Sequence, residues 1–270
     1  MSLSTNDLGI GYGEQMIVEN LNLTIPKGKI TTMIGPNGCG KSTILKTMAR
    51  IHRSKTGAVY LNGKAIHQMP TKEIAKQMAI LPQTPEAPGG LTVYELVAYG
   101  RFPHQKGMGR LTKDDRRIIE WSLDVTGMLA FHDRPIEALS GGQRQRVWIA
   151  MSLAQETELL LLDEPTTYLD LAHQLEILKL LEKLNKDEGR TILMVIHDLN
   201  HAARFAHHMV ALNSGKIVKE GAPENVMTPE VLRKVFQIDA EIAVDPRTGK
   251  PICLTYDLLE NEEAKRLATG

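Results

Sequence analysis

The stretch Gly35-Pro36-Asn37-Gly38-Cys39-Gly40-Lys41-Ser42-Thr43 constrains this chain more than any other. It fits the pattern G-x-x-x-x-G-K-[ST], with the apolar run Ile30 to Ile34 before it and the periodic segment Ser42 to Ile51 after it. A strand, a glycine-rich loop and a helix in that order form one unit of a parallel α/β sheet, the context this pattern requires. Backbone amides from Asn37 to Thr43 would line an anion-binding concavity. Lys41 would neutralise β and γ phosphates, and the Ser42 hydroxyl would ligate magnesium. Cys39 holds a variable position of the loop and reads as a small filler.

A second landmark is Leu159-Leu160-Leu161-Leu162-Asp163-Glu164-Pro165, an apolar run ending in two carboxylates. That is the pattern of a fully buried parallel strand whose polar tip emerges at its carboxyl end, where ligand crevices of open α/β sheets lie. Asp163 would hold magnesium and Glu164 would polarise an attacking water, while Pro165 stops the strand. Leu139-Ser140-Gly141-Gly142-Gln143 is a third landmark, placed before the periodic segment Gln143 to Ala154. Its adjacent glycines let backbone approach an anion at a helix N-terminus, where amides are unpaired and the dipole is positive. It has no lysine and no magnesium-binding hydroxyl of its own kind, so it reads as half of a site completed by a nucleotide on a second molecule. Gln83 follows the short apolar run Met78 to Leu81, and His197 follows Thr191 to Ile196. Alone, each would be an ordinary residue at a strand end.

Taken together, the order of these pieces resembles the nucleotide-binding subunit of the ATP-binding cassette transporters, over nearly the whole chain. The match runs through the phosphate loop, a glutamine loop at Gln83, the signature Leu139 to Gln143 and the acidic strand ending in Asp163 and Glu164. It ends with a D-loop, Tyr168-Leu169-Asp170, and a switch histidine, His197. The resemblance implies an α/β phosphate-loop NTPase fold: a mixed sheet with a RecA-like core, an antiparallel β subdomain and an inserted helical subdomain. It implies ATP and Mg2+ as ligands, with Ser42, Gln83 and Asp163 at the metal and Lys41, Gln83, Glu164 and His197 in hydrolysis. Tyr12 matches the aromatic that stacks on adenine, and Asp170 joins the nucleotide contacts. Ser140, Gly141, Gly142 and Gln143 would close over the nucleotide of a partner subunit, giving a head-to-tail homodimer with two shared sites. Segments such as Leu96-Val97-Ala98-Tyr99-Gly100-Arg101-Phe102-Pro103-His104 and Pro165-Thr166-Thr167-Tyr168-Leu169-Asp170-Leu171-Ala172-His173-Gln174 resemble the branch that imports iron chelates, haem and cobalamin, its siderophore members most. In that branch the partners are integral membrane permease subunits and, indirectly, an extracytoplasmic substrate-binding protein.

Charge and composition agree. Lys plus Arg and Asp plus Glu are 32 each, leaving no basic field to attract nucleic acid. A relative acting on DNA or ribosomes would also need a coiled-coil insertion or a second cassette, and neither pattern is seen. No apolar run approaches the roughly eighteen residues that span a bilayer, and the start lacks the regions of a signal peptide. Attachment to the cytoplasmic face of the membrane is therefore expected through a partner. The two cysteines are far apart and fit a reducing compartment. His197-Asp198-Leu199-Asn200-His201 comes near the zinc-protease pattern H-E-x-x-H but lacks its glutamate. A stand-alone kinase using only the phosphate loop would have no need of the signature pentapeptide. At 270 residues the chain can bury roughly three quarters of its unfolded surface. The expected layout is a cassette over 1–236, with the helical insertion at about 88–155, then a β-hairpin and charged tail over 237–270.

Overall fold

The computed structural model describes residues 2–105 and 110–259. The charged segment Glu260 to Arg266, expected to be helical, lies outside them. The chain divides into two compact units, a middle one of Gln68–Ile192 and a flanking one of Ser2–His67 with the chain from Leu193 onward.

The flanking unit opens with β1 (Leu3–Tyr12), β2 (Gln15–Ile25), β3 (Ile30–Ile34), α1 (Lys41–Met48), β4 (Thr56–Leu61) and β5 (Lys64–Ala65). The middle unit follows with α2 (Thr71–Ala75), β6 (Met78–Leu81), α3 (Val93–Ala98), α4 (Lys113–Val125), α5 (Gly141–Ala154), β7 (Leu159–Asp163) and α6 (Leu171–Glu188). After β8 (Thr191–Val195) the flanking unit resumes with α7 (Leu199–Phe205), β9 (His208–Asn213), β10 (Lys216–Gly221), α8 (Pro223–Val226), α9 (Pro229–Phe236), β11 (Ile238–Val244) and β12 (Pro251–Leu258).

Burial follows pattern in both units. In the flanking unit β2, β1, β4 and β5 form an antiparallel sheet in that order, and Leu21, Leu23 and Ile25 on β2 alternate inward with exposed neighbours. A sheet with one covered face produces that alternation. Behind it, β3 pairs in parallel with β9, and β9 in antiparallel with β10, so this sheet is mixed. Every residue of β3 (Ile-Thr-Thr-Met-Ile) and β8 (Thr-Ile-Leu-Met-Val) is buried, as in strands covered on both faces. β11 and β12 close the unit as an antiparallel hairpin, with a bulge between Glu241 and Ile242.

In the middle unit β6 and β7 pair in parallel, with Leu81 opposite Leu162. The amphipathic run from Asp114 becomes α4, which turns Ile118, Ile119, Ser122 and Leu123 inward. It stops at Val125, because the Met128 amide donates to the Leu123 carbonyl at 2.7 Å and the Gly127 amide to the Asp124 carbonyl at 2.9 Å. This paired C-terminal cap ends the helix before Met128. α5 begins at Gly141, ahead of the periodic run from Gln143, because Ser140 caps it. Among the described residues no helix is long and apolar enough to cross a membrane.

Candidate active site

The phosphate loop lies in the flanking unit, between β3 and α1. Gly40 is the N-cap of α1 at φ 102, a left-handed conformation costly for any residue with a Cβ. It provides no side-chain cap, and no acid stands in the first turn of α1. The helix start therefore keeps the donor character and positive dipole end that fit a phosphate. Lys41 is buried, 5% exposed, with its ammonium donating to the carbonyls of Gly35 at 2.8 Å and Pro36 at 2.9 Å. A buried cation held by carbonyl dipoles and a thiol, with no acid among these contacts, fits an incoming polyanion. The Cys39 thiol is buried beside it, 4.0 Å from the ammonium. Burial pushes this thiol up, against the opposing pull of Lys41, so Cys39 stays protonated and packs as the expected filler.

Two further residues named from the sequence belong to this unit. Tyr12, at the end of β1, is 54% exposed and sits edge-on to His52, with ring centroids 5.8 Å apart and its hydroxyl 3.3 Å from Nε2. A ring fixed at one edge keeps a face for stacking. His197 follows β8 and is exposed, immediately before Asp198, whose carboxylate caps α7 by accepting from the His201 amide at 2.6 Å. His201 packs against Phe205, with ring centroids 6.4 Å apart. The second histidine of the H-D-L-N-H stretch thus belongs to helix packing.

The middle unit holds the acids. Asp163 ends β7 fully buried, and Glu164 follows at φ 53. A non-glycine residue in the left-handed region is uncommon and is held there by its surroundings. One oxygen of Glu164, Oε2, accepts from Gln83 Nε2 at 2.6 Å and from the Thr167 hydroxyl at 3.0 Å. Parallel pairing explains the meeting: with Leu81 opposite Leu162, residues 83 and 164 are each two steps beyond that pair. Two donors on one oxygen orient the carboxylate. The sequence puts both Gln83 and Glu164 in hydrolysis; their direct bond and the part of Thr167 come from the structure.

The signature pentapeptide starts α5. Ser140 Oγ accepts from the Gln143 amide at 3.2 Å, and the Gln143 side chain accepts from the Ser140 amide at 3.0 Å. This reciprocal box was legible in the S-x-x-Q spacing. It means Ser140 already serves its own helix, and the amides of Gly141 and Gly142 keep the open end. Gly142 lies against the ring of His173, where an added Cβ would sit 2.9 Å from Cδ2. That ring is pinned to the D-loop, Nδ1 being 2.7 Å from Asp170 Oδ1, which also accepts the His173 amide at 2.9 Å. The His173 amide first, and then its ring, hold the Asp170 carboxyl below the usual carboxylate range. Signature and D-loop are thus joined through a histidine that sequence reasoning used only as part of a family likeness. Tyr168 on the D-loop and Leu171 at the start of α6 are 91% and 72% exposed.

The contact at Gly142 makes a direct prediction. Gly142→Ala forces the His173 ring off Asp170 and destabilises the middle unit by about 1 to 3 kcal/mol, the usual cost of overpacking. Thermal unfolding measures it, and adding His173→Ala should restore stability. A double variant no better than the single would refute the clash.

With this geometry in view, comparisons place the chain. The family model for the ABC transporter matches residues 18–167. The iron(3+)-hydroxamate import ATP-binding protein FhuC of Bacillus subtilis (strain 168) is 76% identical over 262 residues, covering 97% of both chains. A metal-chelate type ABC transporter solved in an inward-facing conformation superposes with a TM-score of 0.81 at 29% identity, over 97% of this chain and 98% of that one. A dimeric ATP-binding cassette in a post-hydrolysis state, bound to ADP and Pi, superposes with a TM-score of 0.71 at 29% identity, over 82% and 98%. An uncapped phosphate loop, a pinned glutamate and a signature helix, carried by a sequence this similar, have one explanation: the chain belongs to the ABC transporter family, among its ATP-binding cassettes.

Proposed function

We propose that this chain is the ATP-hydrolysing subunit of an importer that moves an iron(III)-siderophore, of the hydroxamate class, across the cytoplasmic membrane. One observation carries the cargo: identity of 76% across nearly the full length of both chains with an iron(3+)-hydroxamate import ATP-binding protein. The chemistry is argued from the residues themselves. Phosphoryl transfer asks a protein for positioning and charge neutralisation. Lys41 and the start of α1 grip the triphosphate of the substrate ATP, and Tyr12 offers a ring face to the adenine. Bound magnesium would neutralise charge on the β and γ phosphates, with Ser42, Asp163 and Gln83 offering the oxygens that a hard cation prefers. Glu164, held by Gln83 and Thr167, orients and deprotonates the attacking water. His197 contacts the γ-phosphate.

The open end of α5 completes the site of a second copy. Hydrolysis then requires closure of a homodimer, and losing one such preorganised donor costs about 3 to 4 kcal/mol of transition-state stabilisation. Ser140→Arg should leave ATP binding by the monomer intact and abolish ATP-driven dimerisation, read by light scattering with the Glu164→Gln variant as background. If it instead abolishes binding by the monomer, the two-molecule site is wrong.

Attachment to the membrane runs through a permease. The middle unit carries a mostly apolar groove of about 370 Å³ lined by residues including Leu91, Tyr94, Ala98, Tyr99, Phe102 and Leu111. Phe102 at its rim is 73% exposed and Tyr99 51%, so apolar side chains continue from the groove to the surface. A short cytoplasmic helix of the permease docks there, next in sequence to the Gln83 segment, so the nucleotide state reaches the permease through that segment. The extracytoplasmic binding protein acts on the permease and never on this chain. Deleting the gene should abolish growth on a ferric hydroxamate as sole iron source and spare growth on haem iron. Loss of growth on haem or of cobalamin uptake instead would reassign the cargo.

A further inference from the structure

Within the flanking unit, the hairpin of β11 and β12 is fastened to the helix that begins just after His197. Asn200, in the first turn of α7, meets the backbone of Cys253 on β12 with both ends of its side-chain amide. Nδ2 donates to the Cys253 carbonyl at 3.1 Å, and the Cys253 amide donates to Oδ1 at 2.8 Å. The two bonds reproduce a ladder pair between strands, so the side chain serves β12 as a one-residue partner strand. Cys253 is 8% exposed, and a buried backbone amide stripped of such a partner is costly. In the hairpin turn the Arg247 amide and the Thr248 hydroxyl hold the Asp245 carboxyl below the usual carboxylate range, with a smaller contribution from the positive charge of Arg204 on α7. The far strand is anchored separately, Arg233 of α9 pairing with Asp239 of β11 at 2.7 Å. The hairpin is thus braced between α9 and the start of α7.

We propose that Asn200 is a positioning residue for hydrolysis: by clasping Cys253 it makes the C-terminal hairpin the backstop that fixes the segment carrying His197. The idea rests on the reading of His197 as a γ-phosphate contact. Asp198 caps α7 from within, but nothing in a cap sets where the helix as a whole stands. The Thr32 hydroxyl of β3 holds the middle of α7, donating to the Ala202 carbonyl at 3.3 Å, and the Asn200 clasp holds its start, joining residues 53 apart in sequence at a point three residues from His197. The hairpin then holds the switch segment in register for catalysis without touching ATP.

The test uses the full chain and a double-mutant cycle. Asn200→Ala, His197→Ala and the double variant are compared for steady-state turnover of radiolabelled ATP, binding of a fluorescent ATP analogue and thermal unfolding. Asn200→Ala should lower kcat about fivefold, the worth of one net hydrogen bond, with nucleotide affinity unchanged. In the His197→Ala background it should lower kcat no further, since residues acting as a unit are not additive. Asn200→Asp keeps the acceptor for the Cys253 amide and places an acid in the first turn of α7, where it favours the helix. It folds, and its kcat falls between those of the wild type and Asn200→Ala. Full turnover in Asn200→Ala, or an equal loss in both backgrounds, overturns the proposal. Normal turnover in His197→Ala would sink the reading of His197 itself, and the backstop with it.

Discussion

Glu164→Gln should bind ATP with an affinity within about threefold of the wild type while its turnover falls by about 10² to 10⁴, the range a positioned general base supplies. The substitution keeps shape and hydrogen bonding. A glutamine carbonyl oxygen can still accept from Gln83 Nε2 and from the Thr167 hydroxyl, the two donors that now meet on Oε2. The backbone, at φ 53, stays held by the same turn. What disappears is the negative charge and the ability to take a proton from water. The substitution leaves the phosphate loop's own contacts in place, with the Lys41 ammonium donating to the carbonyls of Gly35 and Pro36. The variant should therefore accumulate as a closed, ATP-loaded dimer, measurable by single-turnover kinetics beside equilibrium binding. Near-normal turnover would remove Glu164 from the mechanism. Thr167→Val offers a finer check: with one of two orienting donors gone, turnover should fall about fivefold, the worth of a single hydrogen bond.

How much of this could be read from the sequence depends on distance along the chain. The phosphate loop, the buried run Leu159 to Leu162 and the first turn of α5 are local patterns, and each folds where its residues say. Contacts between strands are different. The sequence places Gln83 at the tip of a strand flanking the acid pair, but only the register of β6 on β7, with Leu81 opposite Leu162, sets its side chain against Glu164. The same holds for Gly142 against His173 and for Asn200 against Cys253, where a small residue or an amide answers a neighbour that is remote in the chain. The reciprocal cap of Ser140 and Gln143 is legible from its S-x-x-Q spacing, because a capping box is set within one turn of chain.

Arg101→Ala should destabilise the middle unit by about 3 to 5 kcal/mol, the cost of stranding one partner of a buried ion pair. Arg101 lies in the turn after α3 with a side chain only 4% exposed, and its Nε donates to Asp115 at 2.8 Å, Asp115 being 7% exposed. Its Nη1 donates to the Ala154 carbonyl at the end of α5 at 2.8 Å and to Glu156 at 2.7 Å. One guanidinium therefore ties three segments of the unit. Asp115 is doubly committed, because it also caps α4, accepting the Thr112 amide at 2.9 Å and hydroxyl at 2.7 Å. Burial pushes the Asp115 carboxyl up, but the Thr112 amide and the Arg101 guanidinium outweigh it and hold the group below the usual range. A depressed pKa stabilises the fold above the ordinary carboxylate range, and this contribution is lost as pH falls through the folded value. Without Arg101 the carboxyl is buried and poorly compensated, so it takes up a proton more readily. The penalty of Arg101→Ala should therefore be largest near neutrality and shrink toward about pH 4, near the ordinary carboxylate value. Urea unfolding at the two pH values measures it, and a penalty independent of pH would show that lost packing, not a stranded charge, is the cause. Removing both charges together, Arg101→Met with Asp115→Asn, keeps an acceptor for the α4 cap and should cost less than Arg101→Ala alone. Glu156, 44% exposed, is the control: Glu156→Gln should cost no more than about 1 kcal/mol, as for an ion pair open to solvent. Because the tied segments include the turn bearing Phe102 at the rim of the groove proposed to take the permease, the variant should lose transport before it loses nucleotide binding.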